Sequence, residues 1–519
     1  MSPVLPPGVT AAIFARALRR FAAVVGDSQV FASDEDRASY SDSFAIDDGS
    51  SHAPAAAVAP ATVPEIQAIV RAANEYRVPL WPVSRGRNLA YGGSAPRMRG
   101  TVVLDLSRMQ RIIEVDASQG WCRVEPGVGF YDLYDYIKAR HLPLWVSLPK
   151  HAWGSVVGNA LERGLGETAY GDHAQQICGM EVVLPDGELL RTGMGAKSGS
   201  GVWSQFKHGF GPGWDSMFCQ SNLGIVTSMG LWLMPEPEAT VVFRCKAMTG
   251  ADVEPVVAAV LALKRCGVVD AYLSMVSWLG IAGCLAQRRE FYDGPGAMPE
   301  DVVQQLLRKL DIGWWNLDVV VTGTPEVAAA KARRVEQELA RSGRIVWSRS
   351  DWRQGDATAS GAEPVPGMRS MQFINWYGGR GAHVDFSPVM PADAAEAARY
   401  FRATYDYFNG IGHDFFAAYH FGPRNLIAPT NIIFDRTDAT MTARVRRMFG
   451  ELLRMAGALG MSEYRTHLDY MDEVARTFDY NDHALLRLNE RIKDCIDPQG
   501  ILAPGKSGVW PRAYRGRER

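Results

Sequence analysis

Sulfur chemistry is sparse in this chain. Its seven cysteines (Cys122, Cys178, Cys219, Cys245, Cys266, Cys284 and Cys495) are odd in number, widely scattered and contain no C-x-x-C pair. A disulfide framework or a zinc site is therefore not expected, no metal site is proposed, and a reducing compartment is the default. Long apolar runs are also missing: nothing approaches the roughly 18 residues needed to span a bilayer. At the N-terminus Ile13, Phe14, Leu18, Phe21 and Val25 recur at helical spacing, but Arg16, Arg19 and Arg20 interrupt them, so the segment reads as an amphipathic helix rather than a secretory signal. A cytoplasmic location is expected. Nor is there an excess of one charge: 55 Lys+Arg against 57 Asp+Glu gives −2, with no long like-charge run. Nucleic acid and membrane surfaces lack an electrostatic footprint here.

What is present fits a large globular protein. Across 519 residues, 47% hydrophobic and 22% charged composition excludes disordered, collagen-like and coiled-coil classes, and the length implies two to four domains. The chain holds 51 Gly and 14 Trp, a pairing that suits tight backbone turns around a flat organic ligand. From about 55 to 235, short β-rich runs alternate with helical ones: AAAVAP, the helix PEIQAIVRAANEYR with Pro64 near its start, then VPLWPVS, a β-α-β pattern. TVVLDLS, IIEVDA and WCRVEPGV read as strands, FYDLYDYIKARH as a helix, and GMEVVLPDGELLRTG as a hairpin turning at Asp186-Gly187. At 233–239 two prolines break the pattern and long helical segments follow, so a boundary is placed there. Residues 355–367 read as a loop, and the C-terminal DPQGILAPGKSGVW returns to Gly/Pro turns.

Three glycine-bearing stretches carry candidate chemistry. Ser84-Arg85-Gly86-Arg87-Asn88, followed by Leu89-Ala90-Tyr91-Gly92-Gly93, comes after an apolar strand. Its glycines let backbone N–H groups approach an anion, with arginines and an amide in support, so a phosphate cradle and a plain Gly-rich turn both fit. It is neither a Walker loop nor G-x-G-x-x-G. Gly154-Ser155-Val156-Val157-Gly158-Asn159 and Tyr170-Gly171-Asp172-His173 are similar in kind.

Taken in order, S-x-G-R-N-x-x-Y-G-G, G-S-V-x-G-N-A-x-E-R-G, Y-G-D-H, S-N-x-G-I-V-T, G-A-H-x-x-F-S-P, E-Y-R-T-H and D-P-x-G-I-L-A-P-G-K-S-G-V-W resemble the vanillyl-alcohol oxidase and p-cresol methylhydroxylase flavoproteins. The resemblance covers about residues 55–511. It implies an α+β, two-domain FAD-binding fold: 1–236 and 462–519 around the cofactor, 237–461 as an α+β cap. It implies that Ser84, Arg85, Gly86, Arg87 and Asn88 hold the FAD pyrophosphate. Gly154, Ser155, Gly158, Asn159, Gly171, Asp172, His173, Gly224, Ile225 and Val226 line the rest, and Lys506 closes over it from the tail. His383 matches the histidine that carries covalent FAD in the alcohol-oxidase branch, with His52 as a helper.

The activity implied is oxidation of 4-substituted phenols through a quinone methide, with O2 as acceptor and a homo-oligomer as the assembly. Tyr91, Tyr464 and Arg465 match the family's phenolate site, two phenol donors and a guanidinium that stabilise an oxyanion. The departures are specific. Where oxidase-branch relatives read P-D-L, this chain has Pro149-Lys150-His151-Ala152-Trp153, so His151 is the candidate base in place of a carboxylate and Lys150 a candidate cation for an acidic substrate. Where relatives carry R-x-M-H-H, it has Arg424-Asn425-Leu426-Ile427-Ala428-Pro429, which predicts a smaller, more apolar pocket wall. Two alternatives stand beside the oxidase: a dehydrogenase passing electrons to a cytochrome or other carrier, and a flavin-binding protein diverged in its reaction.

Overall fold

A computed structural model describes residues 4–356 and 369–516. Most of the loop expected at 355–367 lies outside them. Three larger sheets and two two-stranded ones, Leu144–Trp145 with Met234–Pro235 and Gly381–Phe386 with Thr430–Asp435, organise the described residues. The first holds Val30–Phe31, Ala56–Val58, Val102–Asp105 and Leu80–Val83 in that order, the last three parallel. Ala56–Val58 is buried along its whole length, as a parallel strand covered on both faces must be. The connecting helix Val63–Tyr76 starts where the sequence predicts. Thr62 accepts the Glu65 N–H at 3.4 Å, Pro64 occupies the first turn, and Arg77 ends it in the left-handed region. The N-terminal helix Ala11–Val25 also forms, but its packed face is Phe14, Ala17 and Phe21, and Ile13 points to solvent.

The second sheet is antiparallel: Ile112–Asp116, Trp121–Val124, Ile225–Trp232, Ile177–Val183 and Leu189–Arg191. Its last two strands are the expected hairpin, with Gly187 at φ +87° in the turn. The third sheet begins at Ala239, just past the proline break. It runs Val346–Arg353, Ala239–Ala247, Trp315–Gly323, Leu273–Ser277, Ala418–Phe421, Asn425–Ile427, Pro388–Pro391 and Ser462–Glu463. Its exposed edge strand carries Arg349, Asp351 and Arg353, charges that discourage edge-to-edge pairing. Helices Val253–Arg265, Pro325–Ser342 and Ala394–Gly410 pack on it around the largest core of the molecule.

Trp314, Trp315 and Trp376 are fully buried in that core. The tryptophans thus fill apolar volume, and of all fourteen only Trp81 reaches the large cavity described below. Trp153, beside a glycine motif, is 44% exposed.

The C-terminal tail is laced to the N-terminal half. Leu80 N–H donates to Ile501 C=O at 2.7 Å and Ala503 N–H to Leu80 C=O at 2.8 Å, which adds the tail to the edge of the first sheet. Lys493, wholly buried, donates to Asn222 C=O at 2.6 Å, Asp497 at 2.7 Å and Leu502 C=O at 2.7 Å. Burial pushes its pKa down, with Asp497 opposing. Removing one partner of a buried ion pair strands the other. Lys493→Ala should therefore cost about 3–5 kcal/mol, read as a lower urea midpoint with an unchanged slope.

Candidate active site and its relatives

One cavity of about 1100 Å³ runs between the first two sheets, the tail and the third sheet. That exceeds the roughly 300–1,000 Å³ of ordinary ligand pockets, so a large cofactor and a substrate both fit. The loop after strand Leu80–Val83 forms one wall. Gly86, Ala90, Gly92 and Gly93 have positive φ, and Asn88 C=O accepts from Tyr91 and Gly93 N–H at 3.1 and 2.9 Å, which curls the loop. Among the described residues the N–H groups of Arg85, Gly86, Arg87, Asn88 and Leu89 find no protein acceptor. A row of free amides beside a cavity is what a pyrophosphate needs.

The second wall is the segment 149–165. Ser155 caps the short helix Val156–Leu161 by accepting Gly158 N–H at 2.9 Å and donates to Pro126 C=O at 2.6 Å. Gly154, Ser155, Gly158 and Asn159 all line the cavity, as do Gly224, Ile225 and Val226 on the next strand. Lys506 reaches in from the tail to Glu162 at 2.6 Å. Burial would raise the Glu162 pKa, but Lys506 and Arg465 outweigh it and hold the carboxyl low.

Gly171, Asp172 and His173, expected to touch the cofactor, do not line the cavity. They lie behind its wall. His173 Nδ1 sits 2.6 Å from Asn159 Oδ1 and so fixes a residue that does line it. Asp172 caps Gln175 N–H at 3.2 Å, and Gly171 is pressed against Tyr272, where a Cβ would come within 2.7 Å. The wall change expected from Ile427 and Ala428 also moves: both are buried, Ala428 within the largest core, and Pro429 is the residue of that run that faces the cavity. His52 lies off the cavity, its Nε2 2.7 Å from Asp469.

The structure brings Tyr91, Tyr464 and Arg465 together although 373 residues separate the first two. The Arg465 guanidinium lies 3.9 Å from the Tyr91 ring centroid and its Nη2 donates to Asn88 Oδ1 at 2.7 Å; its Nε is buried without a partner. Burial alone would lower the Arg465 pKa, yet Tyr91, Tyr464, Glu162 and Asp385 raise it. Burial raises the pKa of both tyrosines, with Arg465 opposing, so both hydroxyls stay protonated.

Asp385, which the sequence reading passed over, ties the group together. It lies close enough to the Tyr91 hydroxyl for each to shift the other's pKa, and its Oδ1 is 2.7 Å from His383 Nδ1. Burial would raise its pKa, but His383 and Tyr91 outweigh that and lower it. A carboxylate only accepts, so His383 carries a hydrogen on Nδ1 towards Asp385. His383 Nε2 is left buried without a partner. The signal was in the sequence: on a strand, Asp385 shares a face with His383 two residues earlier.

His151 also reaches the cavity, its Nδ1 buried and unpartnered. Burial, then Arg465 and His383, push its pKa down to about 4, so it is a neutral imidazole. Lys150 is half exposed and paired with Glu167 at the cavity's edge; its charge is already met, against the expectation that it awaits an acidic substrate. Among the described residues there is no cluster of metal-ligating side chains and no helix long and apolar enough to cross a membrane.

A cavity of this size, with free loop amides on one side and a titratable cluster on the other, defines an FAD-linked oxidoreductase. Residues 54–193 match the FAD binding domain, and residues 313–507 match the FAD linked oxidase C-terminal domain. The chain belongs to the vanillyl-alcohol oxidase/p-cresol methylhydroxylase family and has its two-domain α+β fold. It is 35% identical to the 4-cresol dehydrogenase [hydroxylating] flavoprotein subunit of Pseudomonas putida over 512 residues, 98% of each chain. It is 35% identical over 301 residues to the 1'-carboxy-chondrochloren decarboxylase of Chondromyces crocatus, 58% of this chain and 54% of that one. Among solved structures, 4-ethylphenol oxidase from Gulosibacter chungangensis in its isoeugenol complex superposes with TM-score 0.94 at 33% identity, covering 98% of this chain and all of that one. The substrate-bound p-cresol methylhydroxylase structure gives 0.92 at 34%, covering 98% and 99%.

A buried imidazole pushed to about 4 stays neutral across ordinary pH. In ¹⁵N-histidine NMR, the signal lost in His151→Gln should not titrate between about pH 5.5 and 8; a midpoint near 6.5 would contradict the site's electrostatics.

Proposed function

We propose that the protein oxidises para-substituted phenols (4-alkyl, 4-allyl or 4-hydroxymethyl) with O2 as the electron acceptor. The observation that carries the reading is the cluster of Arg465, Tyr464 and Tyr91 on one cavity with the free loop amides. FAD would be held by the amides of 85–88, by the 154–159 and 224–226 walls and by Lys506, with His383 as the residue for a covalent link. Its unpartnered Nε2 supports that role. The domain division at 236 and 461 is part of the same proposal. When bound, FAD supplies a two-electron acceptor for the benzylic hydride, leaving the substrate as a quinone methide open to water or to loss of a second proton.

The side chains divide the remaining work. Tyr464 and Arg465 stabilise the phenolate oxygen, and the fixed charge of Arg465 lowers the substrate's pKa. Tyr91 is not a free second donor. Asp385 lies beside its hydroxyl and competes with the substrate's oxygen for its hydrogen. His151, neutral beside Arg465, offers one donor and one acceptor to the reacting carbon's surroundings or to an attacking water.

Two substitutions test this. Tyr464→Phe and Arg465→Met should each lower kcat/KM for a para-alkylphenol by roughly 10²–10³-fold, the range for loss of one oxyanion donor; intact turnover in either would exclude the phenolate mechanism. For the cofactor link, acid precipitation should leave yellow colour in the pellet of the wild type and in the supernatant of His383→Ala. The relative named a dehydrogenase favours a second reading of the acceptor. Anaerobic reduction by a 4-alkylphenol followed by air separates the two, since rapid reoxidation is expected of an oxidase.

A further inference from the structure

The third sheet roofs the cavity, and its register fixes which side chains share the inner face. Ser274 pairs with His420 on one neighbouring strand. On the other, Met275 pairs with Leu317, which sets Asp318 level with Ser274. Directly opposed residues of an antiparallel pair point to the same face, and Ser274, Asp318 and His420 all line the cavity. They form a polar row across three strands, about 10 Å wide at ordinary strand spacing.

The row stands a fixed distance from the reacting cluster. The His383 ring packs 5.0 Å from Phe373, and Phe373 lies 5.2 Å from Phe416. From Phe416 the chain climbs strand Ala418–Phe421. The next cavity-facing pair is Val276 with Ala418, and only then comes Ser274 with His420, about 7 Å further along. Moving away from His383, the wall is therefore aromatic, then small and aliphatic, then polar.

No hydrogen bond from the protein satisfies the three polar side chains among the described residues. Burial pushes His420 down to about 4, so it is neutral and keeps a lone pair. Burial raises the Asp318 pKa, with Arg244 on the next strand opposing. Glu167 and Lys150 also face the row, but they neutralise each other. What sets the row's preference is Asp318, whose carboxylate only accepts, flanked by the Ser274 hydroxyl and the neutral His420 imidazole, each of which both accepts and donates.

We propose that this row binds the free end of the substrate's para substituent, and that the substrate is a 4-alkylphenol whose side chain ends in a hydrogen-bond donor, a hydroxyl or an ammonium. The inference rests on the phenol-oxidation reading above and adds the chemistry of the far end. A hydrocarbon terminus gives the row's acceptors no hydrogen bond, and a carboxylate meets Asp318 as a like charge.

The test uses the holoenzyme and four phenols of equal side-chain length: 4-propylphenol, 4-(3-hydroxypropyl)phenol, 4-(3-aminopropyl)phenol and 3-(4-hydroxyphenyl)propanoate. Anaerobic flavin reduction gives kcat/KM, and the flavin spectral change gives Kd. The donor-ended phenols should exceed 4-propylphenol by roughly tenfold, mostly in Kd, and the carboxylate should be poorest. In Asp318→Asn the preference for the ammonium over propyl should collapse towards one while the hydroxyl keeps most of its own; in the Ser274→Ala/His420→Phe pair the hydroxyl's advantage should go. A flat ranking in the wild type, or one that both variants leave unchanged, overturns the proposal while leaving phenol oxidation standing. If no phenol reduces the flavin, the functional reading falls, and this inference with it.

Discussion

The site depends on keeping one cation, Arg465, buried at the seam between the sheet that roofs the cavity and the loops below it. An unpaired guanidinium at such a place is expensive, and the surrounding structure is arranged to offset the cost. The Tyr91 ring faces it, Asn88 accepts from it, and Glu162 and Asp385 supply negative charge nearby. The contacts span residues from 88 to 465, so holding this charge also holds together parts of the chain far apart in sequence. The same charge adds to the burial that depresses His151, and it limits how far burial raises Tyr91 and Tyr464.

A second buried cation, Lys493, does for the scaffold what Arg465 does for the site. By donating to Asn222 and Leu502 carbonyls and pairing with Asp497, it binds the tail to the strand region that carries 222–226. That docking brings Lys506 against Glu162, and Glu162 in turn faces Arg465. The two charges are thus linked through one chain of contacts from the tail to the reacting cluster. The glycine loop at 84–93 serves the opposite need: its curl leaves successive amides without partners beside the cavity.

Much of the framework was legible in the chain itself. The β-α-β segment with Pro64 near its helix start, the hairpin at Asp186-Gly187 and the change of character after the 233–239 prolines follow from local rules of helix starts, turns and periodicity. The motif order brought out Tyr91, Tyr464, Arg465 and His383, and all four reach the cavity. The abundance of tryptophan misled, because composition counts large flat side chains without saying whether they face a ligand or a core. Trp314, Trp315 and Trp376 went to the core.

What the sequence by itself determined were the short-range elements and the residue types available at each motif, since those depend on neighbours within a few positions. Tertiary structure alone decided which of them meet. Gly171, Asp172 and His173 sit in a motif yet fall behind the wall, Lys150 is taken up by Glu167, and Asp385 comes to lie beside Tyr91 and His383. The row of Ser274, Asp318 and His420 was invisible for the same physical reason: strand register joins residues 146 positions apart, and no local pattern records which strand will lie beside which.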